Sequence, residues 1–78
     1  MRAKTLRSVV TFQTTTAAMA METACAAAGL PGRLIPVPTQ ITAGCGMAWS
    51  APAEAEAALK AFIAEKGLAA SGFYLMML

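Results

Sequence analysis

The sequence predicts an α+β fold, a ferredoxin-like βαββαβ sandwich with a four-stranded antiparallel sheet and two helices on one face. Three observations carry this. Strand-like runs stand at 7–13, 32–37, 46–51 and 70–78, rich in β-branched, aromatic or other apolar residues. Two alanine-rich stretches, each closed by a glycine, separate the first run from the second and the third from the fourth. Right-handed crossovers then fold the order β-α-β-β-α-β into the split βαβ arrangement.

The first run, with Val9-Val10-Thr11-Phe12, reads as a strand buried on both faces. Thr14, Thr15 and Thr16 offer a helix N-cap, and helix follows to Ala28, with Gly29 as its cap and Pro31 closing the exit. Ala17, Met21, Cys25 and Ala28 fall on one face by helical spacing, with Glu22 and Thr23 outside it. The run 32–37 holds Pro36 and is stopped by Pro38, which suits an edge strand. A loop over 39–44 leads to the third strand, with Met47, Ala48 and Trp49. Pro52 opens a second helix whose early Glu54 and Glu56 suit the positive end of the dipole. Gly67 caps it. The last strand carries Phe73-Tyr74-Leu75-Met76-Met77-Leu78, an apolar stretch expected at a sheet edge.

Length and composition bound the function. A chain of 78 residues makes one domain, near the lower limit for a self-supporting core. Hydrophobic residues make up 58% and charged ones 13%, so a partner subunit or complex is expected to cover part of the surface. The net charge of +2 owes most to Arg2, Lys4 and Arg7, and residues 1–6 are expected to form a flexible basic arm. Nucleic-acid binding is not expected, because no wide basic face with stacking aromatics is legible; most of the aromatics fit core positions. The arm followed by Val9-Val10-Thr11-Phe12 imitates the start of a signal peptide. Gln13 and the serine and threonines around it weaken the apolar stretch, so export is not expected. Prolines and glycines break the long uncharged run 34–53, which therefore does not read as a membrane span. A cytoplasmic setting follows, in which thiols stay reduced.

Chemistry concentrates on Cys45. The chain has no histidine and no aspartate, and its glutamates (Glu22, Glu54, Glu56, Glu65) all fall on expected helix surface. Cys45 stands between Gly44 and Gly46, neither of which carries a side chain to shield it. In the expected topology the end of the first strand lies beside the start of the third. Cys45 would then sit near the amino end of the first helix, where free amides and partial positive charge favour a thiolate. Thr14, Thr15 and Thr16 would donate hydrogen bonds to it, and Arg33 or the basic arm would add charge. The bland alternative makes Gly44-Cys45-Gly46 a tight turn with a small buried residue. Cys25 reads as a small core hydrophobe, and a bridge between the two cysteines is not expected. Two cysteines without histidine or aspartate supply no zinc or iron–sulfur site. No nucleotide-binding fingerprint is present, and no cofactor is expected. Without a general base beside it, a lone activated thiol suits a carrier better than a turnover catalyst.

Several segments together resemble a family of small bacterial selenium/sulfur carrier-like proteins. They are Val9-Val10-Thr11-Phe12 with Thr14-Thr15-Thr16 and Ala18-Met19, then Gly32-Arg33-Leu34-Ile35-Pro36-Val37-Pro38, then Ile41 and Cys45-Gly46-Met47-Ala48. The resemblance covers nearly the whole chain. It implies that the cysteine of the Cys-Gly pair, here Cys45, holds the sulfur or selenium. Members often carry a basic residue after the second proline; here Thr39 stands there, followed by Gln40. The leading expectation is a non-enzymatic carrier. A persulfide or selenosulfide on Cys45 would be received from a desulfurase-type donor and passed to an acceptor enzyme. The alternative is a ferredoxin-like binding or regulatory module that dimerises through a strand edge, with Cys45 structural.

Overall fold

A computed structural model describes residues 5–41 and 46–78. The elements run β1 (Leu6–Thr11), α1 (Thr15–Ala28), β2 (Arg33–Pro36), β3 (Met47–Pro52), a 3-10 turn (Ala53–Ala55), α2 (Glu56–Lys66) and β4 (Gly72–Met77). The sheet has the order β2-β3-β1-β4 with every neighbouring pair antiparallel, the ferredoxin-like arrangement. β1 and β3 are central, and β2 and β4 form the edges.

Local chemistry sets the boundaries. Thr14 is the N-cap of α1, its Oγ1 accepting the Ala17 amide at 3.1 Å; Thr15 and Thr16 are already helical. Gly29 and Gly67 end the two helices in left-handed conformation, which a residue with a Cβ adopts at a cost. Pro36 ends the edge strand β2, where its missing donor disturbs no central ladder. β1 begins at Leu6, and Thr5 exchanges backbone hydrogen bonds with Leu78 at 3.0 and 2.9 Å. Paired chain thus starts inside the segment expected to be an arm.

Apolar residues separate into two clusters by the two-residue period of the strands. On the helical side Val10, Phe12, Trp49 and Ala51 pack with Ala18, Met21 and Cys25 of α1 and Leu59 and Ile63 of α2. Ala28, expected on this buried face, is exposed, and Ala18 joins the face instead. Among so many alanines the helical phase had little contrast to reveal it. On the opposite side a smaller cluster gathers Val9, Ala48 and Ile41, with Ile35, Val37, Met76 and Leu78 against it. Ile41 reaches it because the chain turns back after β2, its amide bonding the Pro38 carbonyl at 2.9 Å.

Gly32, at φ +128°, lies so close to Trp49 that a Cβ there would collide with the indole Nε1 and come within 2.7 Å of the Ser50 carbonyl. That buried Nε1 has no hydrogen-bond partner among the described residues. On the β4 edge, where the apolar stretch is expected, Phe73 and Tyr74 are exposed, together with Leu75, Met77 and, on the neighbouring β1, Leu6. The strand lies at the margin of the sheet, beyond full cover by the helices, and Lys60 of α2 reaches only to 5.4 Å from the Phe73 ring centroid.

Candidate functional site

The antiparallel ladder places Thr11 opposite Ala48, so the start of β3 is level with the end of β1. Three residues beyond Thr11 the chain enters α1 through the Thr14 cap. The cap satisfies the Ala17 amide, while the Thr15 and Thr16 amides have no acceptor among the described residues. No acidic side chain stands in that first turn, so the positive end of the helix dipole is not neutralised from within. This is the field that would favour an anion at this end of the sheet.

Gly46 leads into β3. Its φ of +79° is left-handed, and its carbonyl accepts the Val37 amide at 3.0 Å. A Cβ at Gly46 would touch nothing within 4 Å, so backbone conformation, not crowding, selects glycine here. The expectations for Gly44 and Cys45 fall outside the described residues.

Thr14, Thr15 and Thr16 gather at the helix end, though only Thr14 caps. Arg33 does not join them. It faces Ser50 across the β2–β3 ladder, whereas Val37, four residues on, is level with Gly46. At about 3.3 Å per strand residue that separation is roughly 13 Å, beyond the reach of one arginine side chain. Arg33 instead lines a groove of about 750 Å³ with Arg7, Ser50, Thr39 and Gln40. Arg7, the first residue of the expected strand run 7–13, is part of β1, and its Nε donates to Ser50 Oγ at 3.1 Å. Sequence gave this convergence one signal, the alternation Arg7-Val9-Thr11 on one side of β1. It becomes informative only once the cross-strand register is known.

Cys25 is fully buried among Met21, Trp49 and their neighbours, and burial pushes its thiol up from the ordinary range. It is a neutral core group at physiological pH and poorly placed as a nucleophile. Among the described residues no three histidine, cysteine, aspartate or glutamate side chains cluster as metal ligands. Nor is any described helix long and apolar enough to cross a membrane.

Residues 7–75 match the family described as "Putative Se/S carrier protein-like". The chain belongs to that family. No curated protein and no solved structure matches it. The matched span of this carrier-like protein runs from β1 into β4 and includes Cys45.

Proposed function

We propose that this protein is a carrier that holds sulfur or selenium on Cys45 and hands it between partner enzymes. The observation that carries the proposal is the family match over residues 7–75, a span that includes Cys45. The other cysteine, Cys25, is sealed within the helical layer. Two features support the choice of Cys45. Gly46 brings the chain into β3 at the level where β1 ends, and α1 begins four residues beyond that end, after the Thr14 cap, with unpartnered amides. An anion near such a helix end is stabilised, which lowers a thiol's pKa and raises its thiolate fraction.

The loading step is a thiol–persulfide exchange. The Cys45 thiolate attacks the terminal sulfur of a donor persulfide, a new S–S bond forms, and the donor's S–S bond breaks. The donor leaves as a thiolate, and the transferred sulfur is neither oxidised nor reduced overall. Unloading repeats the exchange with an acceptor thiolate. The selenium case differs only in the atom moved. No general base is needed when the attacking sulfur is already ionised.

Incubation with a cysteine desulfurase and its substrate, followed by mass spectrometry, is expected to show one added sulfur on Cys45. The adduct should persist in Cys25→Ala and vanish in Cys45→Ala, with the circular-dichroism spectrum of the latter unchanged. No adduct with any sulfur or selenium donor, or an unfolded Cys45→Ala, would overturn the proposal in favour of a structural Cys45. Exposed Phe73, Tyr74, Leu75 and Met77 along β4, with Leu6 of the adjoining β1, support association as a homodimer or with a partner enzyme. Sedimentation at high concentration should therefore show a species larger than the monomer; a strict monomer in the presence of donor and acceptor would sink this part.

A further inference from the structure

We propose that the helix-free face of the sheet carries a binding site for a small organic oxyanion, a phosphate or carboxylate joined to an apolar body. The groove described above, about 750 Å³, lies within the usual range for small-ligand sites. Its polar lining is Thr5, Arg7, Arg33, Ser50, Thr39 and Gln40. Its apolar lining includes Ile35, Pro38 and Leu78. No carboxylate side chain is among these residues.

The charge distribution of the fold makes that absence consequential. Glu22 lies on α1, Glu54 on the 3-10 turn, and Glu56 and Glu65 on α2. Every glutamate of the chain thus belongs to the helical layer, on the far side of the sheet. The ion pair between Lys60 and Glu56 joins two residues of α2. Among the described residues neither Arg7 nor Arg33 has a carboxylate partner. Two guanidiniums sharing one groove that no carboxylate side chain lines repel each other, and an anion bound beside them relieves that repulsion.

The groove is also preorganised. Ser50 is 4% exposed, and its Oγ accepts from Arg7 Nε, which fixes the stem of the guanidinium. With Nε engaged, the remaining donors of Arg7 form a free fork suited to two oxygens of one oxyanion. Arg33 comes from the neighbouring edge strand, opposite the same Ser50. The turn over Pro38–Ile41, tied by its own hydrogen bond and by buried Ile41, supplies the wall with Thr39 and Gln40. Headgroup charge would sit at the arginines, and the apolar body against Ile35, Pro38 and Leu78. The site stands on Arg7, Arg33 and Ser50 and is independent of any chemistry at Cys45.

The test is a titration of the full chain with phenyl phosphate, benzoate and inorganic phosphate, followed by amide chemical shifts and calorimetry. Saturable binding of phenyl phosphate or benzoate is expected, with the largest shifts at Arg7, Arg33, Ser50 and Gln40, and the stronger of the two identifies the headgroup. Inorganic phosphate should bind more weakly for lack of an apolar body. Arg33→Gln, on an exposed edge strand and outside the Arg7–Ser50 hydrogen bond, should weaken binding about tenfold or more. Arg7→Gln should do the same and Lys60→Gln, on α2, should change nothing. Failure of both organic probes to saturate would overturn the proposal, as would equal affinity of folded Arg33→Gln, or inorganic phosphate binding as tightly as phenyl phosphate. Persulfide loading of Cys45 is read separately, so either result can fail without the other.

Discussion

The two faces of the sheet are built from alternate residues of the same strands, yet they differ in kind. Toward the helices, Val10, Phe12, Trp49 and Ala51 meet two helices and vanish from solvent. On the other side Val9 and Ala48 are covered by a turn of chain and by Ile41, with half-buried apolar residues such as Ile35 and Met76 beside them, and Arg7, Arg33 and Ser50 line an open groove. One face carries most of the buried core; the other keeps an open groove. Strand neighbours such as Trp49 and Ser50 therefore serve different ends although a single peptide bond joins them.

The largest effect is expected where the two faces come closest in sequence. Gly32→Ala would drive a Cβ into the Trp49 indole and the Ser50 carbonyl at a φ that disfavours side chains. Strain and overpacking together should cost about 3 kcal/mol or more, a large share of what a small domain has to lose. Thermal unfolding followed by circular dichroism reads it, and a near-native melting temperature would show that this contact relaxes cheaply.

A paired comparison sharpens the contrast between faces. Leu59→Ala, fully buried in the helical layer, should cost about 3–4 kcal/mol, and Ile41→Ala, 8% exposed over the opposite face, about 2. Urea melts of both variants would measure the difference. Equal or reversed costs would mean that the turn holds the fold as firmly as the helices do.

The smallest effect concerns pH. The Cys25 thiol is held above its ordinary pKa by burial, so the folded chain keeps the proton that the unfolded chain releases. Its contribution is intact below about pH 8.5 and declines as pH rises toward the folded-state value, by at most about 1.4 kcal/mol per pH unit. In Cys25→Ala this part of the alkaline loss should disappear, as urea melts between neutral and alkaline pH would reveal. An unchanged slope would mean that other groups account for it.

Much of the fold was legible in the sequence for local reasons. Glycines at 29 and 67 ended helices, Pro36 and Pro38 closed an edge strand, and Val9 to Phe12 could hardly be anything but a central strand. What stayed hidden depended on register or on distance. The return of Ile41 onto Val9 and Ala48 follows from a loop with no periodicity to read. Arg7 and Arg33 converge only because β1, β3 and β2 stack in a particular alignment. That alignment also removes Arg33 from the company of Thr14. For the candidate site, the threonine cap and the Gly46 entry to β3 were visible as residue types, while their shared level on the sheet came from the expected topology.

Burial of Trp49 has a practical consequence. As the chain's sole tryptophan, 3% exposed, it is the principal intrinsic fluorophore and packs in the core between the sheet and the helices. Its emission should be blue-shifted in the native protein and move to the red as that core opens. Light alone would then follow the integrity of the scaffold while the opposite surface is being titrated.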